Sequence, residues 1–94
     1  MNTWLQAHRD KILAIAAEYG ARNVRVFGSM ARDEAREDSD VDLLVEFEPE
    51  RTLFDQIGLM QDLAEVLQRH IDIVTDNSLH WFIRDKVLRE AKPL

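Results

Sequence analysis

The sequence contains no cysteine, only three glycines and two prolines, and no long hydrophobic run. Without cysteine there is neither a disulfide nor a thiolate metal site, which fits a cytoplasmic protein. A membrane-spanning helix would need about 20 mostly apolar residues in a row. Basic residues are also scarce: 12 Lys and Arg stand against 18 Asp and Glu, for a net charge of −6. We therefore expect a cytoplasmic protein that binds neither membranes nor, directly, nucleic acids.

Ninety-four residues, 46% of them hydrophobic, predict a single small globular domain over residues 1–94. Hydrophobic periodicity, caps and turn residues predict its helices and strands. The predicted helices are 3–19, 29–32, 53–67 and a last one from 77 to 93, and the predicted strands are 24–27, 41–47 and 70–75. This order indicates an α/β (α+β) domain in which helices flank a small sheet.

Two hydrophobic helix faces allow predictions about the core and the surface. In the helix 53–67, apolar residues at helical spacing predict a buried stripe. The stripe consists of Leu53, Ile57, Met60, Ala64 and Leu67, widened by Phe54 and Leu63. The last helix begins with Leu79, Trp81, Phe82 and Ile83. Core burial explains much of that cluster, whereas an exposed Trp81 would indicate a surface for a partner or for a homodimer.

Three aspartates stand where negative charge is unexpected. Asp40 and Asp42 open the second strand, and residues two apart on a strand share a face with Cα atoms about 6–7 Å apart. Asp72 lies inside the third strand, where aspartate is rare. If the two strands are neighbours, the three carboxylates repel by about 3 kcal/mol per pair at about 5 Å and an effective dielectric near 20. A cation such as Mg²⁺ would reverse that repulsion. For Asp40 and Asp42 alone, a solvated strand entrance is the alternative.

Gly28-Ser29 follows the first strand and has the features of a phosphate-binding turn. Glycine allows the backbone to approach a ligand closely, and the start of a helical turn offers free N–H groups to an anion. Arg32 could bind phosphate as well, or it could form a surface ion pair with Asp33 or Glu37. Phosphate donors opposite three carboxylates suit nucleotidyl transfer assisted by two metal ions.

These motifs resemble a known family. Gly28-Ser29, ten further residues and then Asp40-Val41-Asp42 are similar to the G-S-x10-D-x-D signature of the polymerase-β-like nucleotidyltransferase superfamily. The strings GSMAR and SDVDLLVEF resemble its minimal nucleotidyltransferase branch. The resemblance implies a mixed sheet flanked by helices, two Mg²⁺ ions and ATP as nucleotide donor. It also implies that Asp40 and Asp42 bind metal, that Asp72 is the third ligand and activates the acceptor hydroxyl, and that Gly28 and Ser29 bind the triphosphate.

The resemblance further implies a partner. Members of this branch commonly act as antitoxins that transfer AMP to a tyrosine of a HEPN-domain ribonuclease toxin. A chain this short leaves no room for an acceptor domain, so we expect the acceptor to be a separate molecule. Two alternatives remain open: an antitoxin that only occludes its partner, and a nucleotidyltransferase that modifies a small molecule.

Two residues depart from the pattern of the family. Asp33 stands where many relatives have glycine, and His70 stands where they often have a basic residue. Either change could weaken nucleotide binding. His70 lies two residues before Asp72 and could share its face of the strand. It belongs either to the site or to the structural framework.

Overall fold

The structure is a computed structural model that describes residues 3–36 and 38–94. It contains three helices and a four-stranded sheet, with one 3₁₀ turn at Gly28–Met30 and another at Asp76–Ser78. In chain order, the elements are α1 (Thr3–Glu18), β1 (Ala21–Phe27), β2 (Val41–Phe47), α2 (Leu53–Leu67), β3 (Ile71–Thr75), α3 (Trp81–Glu90) and β4 (Lys92–Pro93). The predicted α/β (α+β) class, with helices flanking a small mixed sheet, is confirmed.

The strands of the sheet lie in the order β3-β2-β1-β4. β1 runs antiparallel to both β2 and β4, whereas β2 and β3 are parallel. Parallel neighbours require a crossover connection, and α2 forms that connection. The structure therefore makes neighbours of the two strands that carry the aspartates.

The main core lies between one face of the sheet and the helices α1 and α2. Along β2, alternate residues point to this face, and Val41, Leu43 and Val45 are at most 1% exposed. Leu44 points to the opposite face and is buried as well. α3 connects the two edge strands, and its buried Val87 lies outside the main core, so α3 crosses that opposite face.

The last helix begins later than the sequence predicts. Thr75 and Ser78 hydrogen-bond to each other's backbone and close the separate 3₁₀ turn. The helix starts only at Trp81, and His80 is its N-cap, since its Nδ1 accepts a hydrogen bond from the Phe82 amide. The predicted start at Asn77 is wrong because these capping residues terminate a short turn instead of opening the helix.

The predicted short helix 29–32 is only the 3₁₀ turn at Gly28–Met30. Two further differences lie on β1 and its outer neighbour. β1 begins at Ala21, three residues earlier than predicted. Within this extension Asn23 has a positive φ of 49°, and the pairing register shifts between Arg22 and Arg25. Such a bulge interrupts the alternation from which a strand is predicted. β4 was not predicted, since it has two residues and one is a proline, which a sheet tolerates at its edge.

The predicted stripe of α2 is partly wrong. Leu63 and Leu67 are buried, but the third buried residue is Leu59. The first turn is exposed instead: Leu53 is 67% exposed, Phe54 is 84% exposed and Ile57 is 38% exposed.

Contacts on the inner side of α2 explain this orientation. Gln56 Nε2 donates to the Ile73 carbonyl of β3 at 2.9 Å. Gly58 admits the ring of Tyr19, because a Cβ on Gly58 would lie 2.6 Å from Tyr19 Cε1. The Tyr19 hydroxyl in turn donates to Asp62. These contacts rotate Leu53 and Phe54 away from the sheet.

Replacing Leu53 by alanine should therefore change the free energy of unfolding by less than about 0.5 kcal/mol, as is usual for surface sites. Chemical denaturation measures this change. The same truncation at buried Leu63 is the matched control, because it opens a cavity in the core. A loss at Leu53 as large as that at Leu63 would contradict the observed orientation of α2.

Trp81 and Phe82 at the start of α3 are 77% and 76% exposed, so their predicted core burial is wrong. That they form a surface for a partner or a homodimer stays a prediction. Among the described residues, no helix is both long enough and apolar enough to span a membrane.

Candidate active site

Asp42 and Asp72 lie side by side on the parallel strands β2 and β3. The pairing register places them directly opposite each other, so both point to the face of the sheet that α3 crosses. Asp42 is half-buried and Asp72 is exposed. Asp40 immediately precedes β2 and lies two residues before Asp42, so it continues the alternation of the strand on the same face. Its side chain is 57% exposed. The structure thus brings the three aspartates of the sequence prediction to one end of the sheet.

The charges of this group act on Asp42 in particular. Partial burial raises the pKa of the Asp42 carboxyl, and the negative charges of Asp72 and Asp40 raise it further. The positive charges of His70 and Arg32 offset part of this rise. In the described part of the chain, neither the Asp42 nor the Asp72 side chain has a hydrogen-bond or ion-pair partner. Asp42 and Asp72 therefore carry carboxylates that no side chain of the described residues pairs with directly.

His70 lies beside this cluster. Its Nδ1 is 3.4 Å from Asp40 Oδ2, and both side chains are largely exposed. An exposed pair of this kind contributes little to stability. The contact locates His70 at the site, one residue before β3, and not in the core.

The fit of a divalent cation depends on donor type and on placement. Carboxylate oxygens are the ligands that Mg²⁺ prefers, and Asp40, Asp42 and Asp72 provide three carboxylates at one end of the sheet. Over residues 3–36 and 38–94, however, no three potential ligands are already arranged around a common metal position. The donor set fits Mg²⁺ in its chemistry, and the carboxylates would have to rotate to bind one ion together.

Gly28 joins the predicted phosphate turn to these carboxylates. Its φ is +73°, a backbone conformation that residues other than glycine rarely adopt. A Cβ at this position would overlap Asp42 Oδ2 and lie 3.2 Å from Asp42 Cγ. The backbone of the turn therefore packs directly against the Asp42 carboxylate, and Ser29 follows at the start of the 3₁₀ turn.

Arg32 is bound by two carboxylates, neither of which the sequence predicted. Its Nε lies 3.1 Å from Glu34 Oε2, and its Nη1 lies 3.1 Å from Glu90 Oε2 in α3. Asp33 is not its partner, and Glu37 lies outside the described residues. Even so, Arg32 is close enough for its charge to lower the pKa of Asp42. The structure thus gives Arg32 an ion-pair network within reach of the site.

Asp33 has a φ of +58°. This left-handed conformation favours glycine, and aspartate adopts it more readily than most other residues. A glycine at this position would therefore have a conformational explanation. The departure at Asp33 keeps the turn while adding an exposed carboxylate near Arg32.

A surface groove of about 470 Å³ lies at the opposite end of β2 and β3. It contains none of the predicted site residues. Its lining comes from the strand ends and the loops that follow them: Arg22, Val45, Glu46, Phe47, Glu48, Pro49, Arg51, Thr75, Asp76 and Asn77.

Comparison with known proteins agrees with these motifs. The family model described as a nucleotidyltransferase domain matches residues 9–94. Protein adenylyltransferase MntA of Thermococcus cleftensis is 42% identical over 87 residues, which cover 93% of this chain and 85% of that protein. A solved structure of a minimal nucleotidyltransferase has a TM-score of 0.84 and 52% identity, covering 96% of this chain and 92% of the other.

A more distant likeness concerns the fold alone. A solved complex of a tri-AMPylated HEPN toxin from Shewanella oneidensis with an MNT antitoxin contains a matching chain. The TM-score is 0.71 at 21% identity, and the match covers 94% of this chain and 69% of that one.

Proposed function

The chain belongs to the nucleotidyltransferase domain family and is a nucleotidyltransferase, and from this premise we propose that it is a protein adenylyltransferase. It transfers AMP from ATP to a tyrosine of a cognate HEPN ribonuclease toxin in the cytoplasm, and it thereby acts as the antitoxin. The pairing of Asp42 with Asp72 against the Gly28 turn carries this proposal. The adenylyltransferase of Thermococcus cleftensis and the toxin complex from Shewanella oneidensis support the reaction and the partner.

In this proposal the phosphate turn binds the nucleotide. The N–H groups at the start of the turn and the Ser29 hydroxyl donate to the triphosphate, which passes close to Gly28 because that residue has no side chain. Arg32 adds a cationic donor. When bound by Asp40, Asp42 and Asp72, Mg²⁺ would stabilise the negative charge of the triphosphate as a Lewis acid.

Asp72 acts on the acceptor. It accepts the proton of the tyrosine hydroxyl as that oxygen forms a bond to the α-phosphorus of ATP, and pyrophosphate leaves. Its position suits an acceptor from another molecule, since Asp72 is exposed and β3 is an edge strand of the sheet.

Incubation of the protein with α-labelled ATP, Mg²⁺ and the toxin encoded beside it tests this function. We expect label on the toxin and none on the antitoxin. Tyr19 is the only tyrosine of this chain, so Tyr19→Phe serves as a control against labelling of the antitoxin itself. An unlabelled toxin, with both proteins folded, would rule out the transfer reaction.

A further inference from the structure

Residues 90–94 contact the phosphate turn at two points. Lys92 Nζ donates a hydrogen bond to the Ala31 carbonyl at 2.8 Å. Glu90 Oε2 lies 3.1 Å from Arg32 Nη1. These contacts join residues that are 61 and 58 positions apart in the chain. The end of α3 and the residues after it thus bond to the turn that would bind the triphosphate and to the arginine that follows this turn.

The turn needs such support because it is short. Its three residues, Gly28–Met30, form a 3₁₀ turn in which the amides of Ala31 and Arg32 both donate to the Gly28 carbonyl. The few hydrogen bonds of a single turn offset little of the entropy lost when it forms, and 3₁₀ hydrogen bonds have poor geometry. Its orientation therefore depends on its neighbours. Met30 and Ala31, each 1% exposed, fix its inner side by burial.

Lys92 is itself fixed to the strand that leads into the turn. It pairs with Val26 in the sheet, and the Leu94 amide donates to the Val24 carbonyl at 3.0 Å. Leu94 is 9% exposed, and its carbonyl accepts a hydrogen bond from Arg9 Nε at 2.6 Å. Lys92 therefore spans from β1 to the carbonyl end of the turn and restrains the angle between them.

Glu90 performs a similar role for Arg32. Glu34 and Glu90 occupy Nε and Nη1 of the guanidinium, while Nη2 has no partner within the described residues. The Glu90 side chain is 23% exposed and the Glu34 side chain is 64% exposed, so solvent screens the Glu90 pair less. The guanidinium is thus held along one edge, and a donor remains for a phosphate oxygen.

We propose that Lys92 and Glu90 are positioning residues for the nucleotide: Lys92 orients the Gly28–Ala31 turn, and Glu90 orients Arg32. Neither residue touches the substrate. This inference rests on the proposed function, because it takes the turn to be the triphosphate site.

Replacing Lys92 by methionine removes the charged donor and keeps most of the aliphatic chain. A charge-assisted hydrogen bond is strong enough for its loss to raise the Kd for Mg-ATP about tenfold. KM for ATP should rise equally, with kcat within about twofold of wild type, as for an interaction made in both the ground and transition states. Lys92→Arg should restore binding. The control is Lys86→Met, since Lys86 is an exposed lysine of α3 whose side chain has no hydrogen bond or ion pair to the rest of the described chain.

Calorimetric titration with Mg-ATP measures Kd without the toxin, and steady-state labelling gives kcat and KM. A lower melting temperature with kcat reduced and KM unchanged would mean that Lys92 only stabilises the fold, and it would overturn the inference. If Lys92→Met does not fold, Glu90→Gln tests the second contact, and we expect a rise in Kd of several-fold.

The same titration separates the two proposals. A wild-type protein that does not bind Mg-ATP contradicts the proposed function itself. Wild-type binding that both Lys92→Met and Glu90→Gln leave unchanged contradicts only the positioning roles.

Discussion

Replacing Asp40 and Asp42 together by asparagine should lower the rate of AMP transfer about a thousandfold or more. This loss corresponds to about 4 kcal/mol of transition-state stabilisation, which is within the range that a catalytic metal supplies. Asparagine keeps the size of both side chains and removes the two charges that would bind the cation. Initial rates with labelled ATP and the toxin measure the effect. Residual activity within tenfold of wild type would exclude these aspartates as essential metal ligands.

The same variant should gain stability in the absence of ligand. Like charges directly opposite on neighbouring strands destabilise a sheet, by roughly 0.2–1 kcal/mol per pair, and Asp42 lies directly opposite Asp72. The raised pKa of Asp42 also means that the ionised carboxylate destabilises the fold, because folding favours the protonated form. This contribution to stability is therefore present at low pH and is lost as the pH rises through the pKa of the folded state. The melting temperature of the variant should therefore depend less on pH than that of the wild type, which thermal denaturation at a series of pH values measures.

Adding Mg-ATP separates catalysis from occlusion. A ligand that binds only the folded state stabilises it by mass action, by about 2.7 kcal/mol at a hundred times Kd. Wild type should show this shift in melting temperature, and the Asp40→Asn, Asp42→Asn variant should lose it. If the variant still neutralises the toxin fully, the antitoxin acts by binding alone, and the carboxylates are not needed for its role.

Replacing Gly28 by alanine should reduce AMP transfer by about a hundredfold, because displacing reacting groups by about 1 Å can have an effect of this size. The new Cβ would overlap the Asp42 carboxylate and force it out of position. The positive φ adds a cost of about 1–2 kcal/mol to the folded state. In a domain of this size, each kcal/mol lowers the melting temperature by about 4–8 °C.

Gly20→Ala is the matched control. Gly20 has almost the same conformation, with a φ of +74°, but its Cβ would meet the flexible side chain of Arg51, at the other end of β1 from the aspartates. It should lose stability and keep kcat. If the two variants lose activity in proportion to their loss of stability, the contact between Gly28 and Asp42 has no specific role in the site.

The candidate site was largely predictable from the sequence because its parts are local. Gly28 follows a strand, and Asp40 and Asp42 share a face through simple alternation. Asp72 required one further inference, that β2 and β3 are neighbours, which the intervening helix favours. Each step depends on a short-range pattern that a strand or a turn imposes directly on the order of residues.

Other features depend on contacts that leave no periodic signal. Leu53 and Phe54 fit a helical hydrophobic pattern as well as Leu59 does, and the contacts of Gln56 and Gly58 with other elements decide which face is buried. Lys92 contacts a turn 61 positions earlier, and nothing in the local sequence of residues 90–94 indicates this.

The close approach of Gly28 to Asp42 couples two positions that are 14 residues apart, so they cannot diversify independently during evolution. A lineage that loses the aspartate gains space beside the turn, yet the left-handed backbone at residue 28 continues to disfavour most side chains. Descendants that have lost the acidic pair should therefore keep the glycine, because its backbone conformation still requires it.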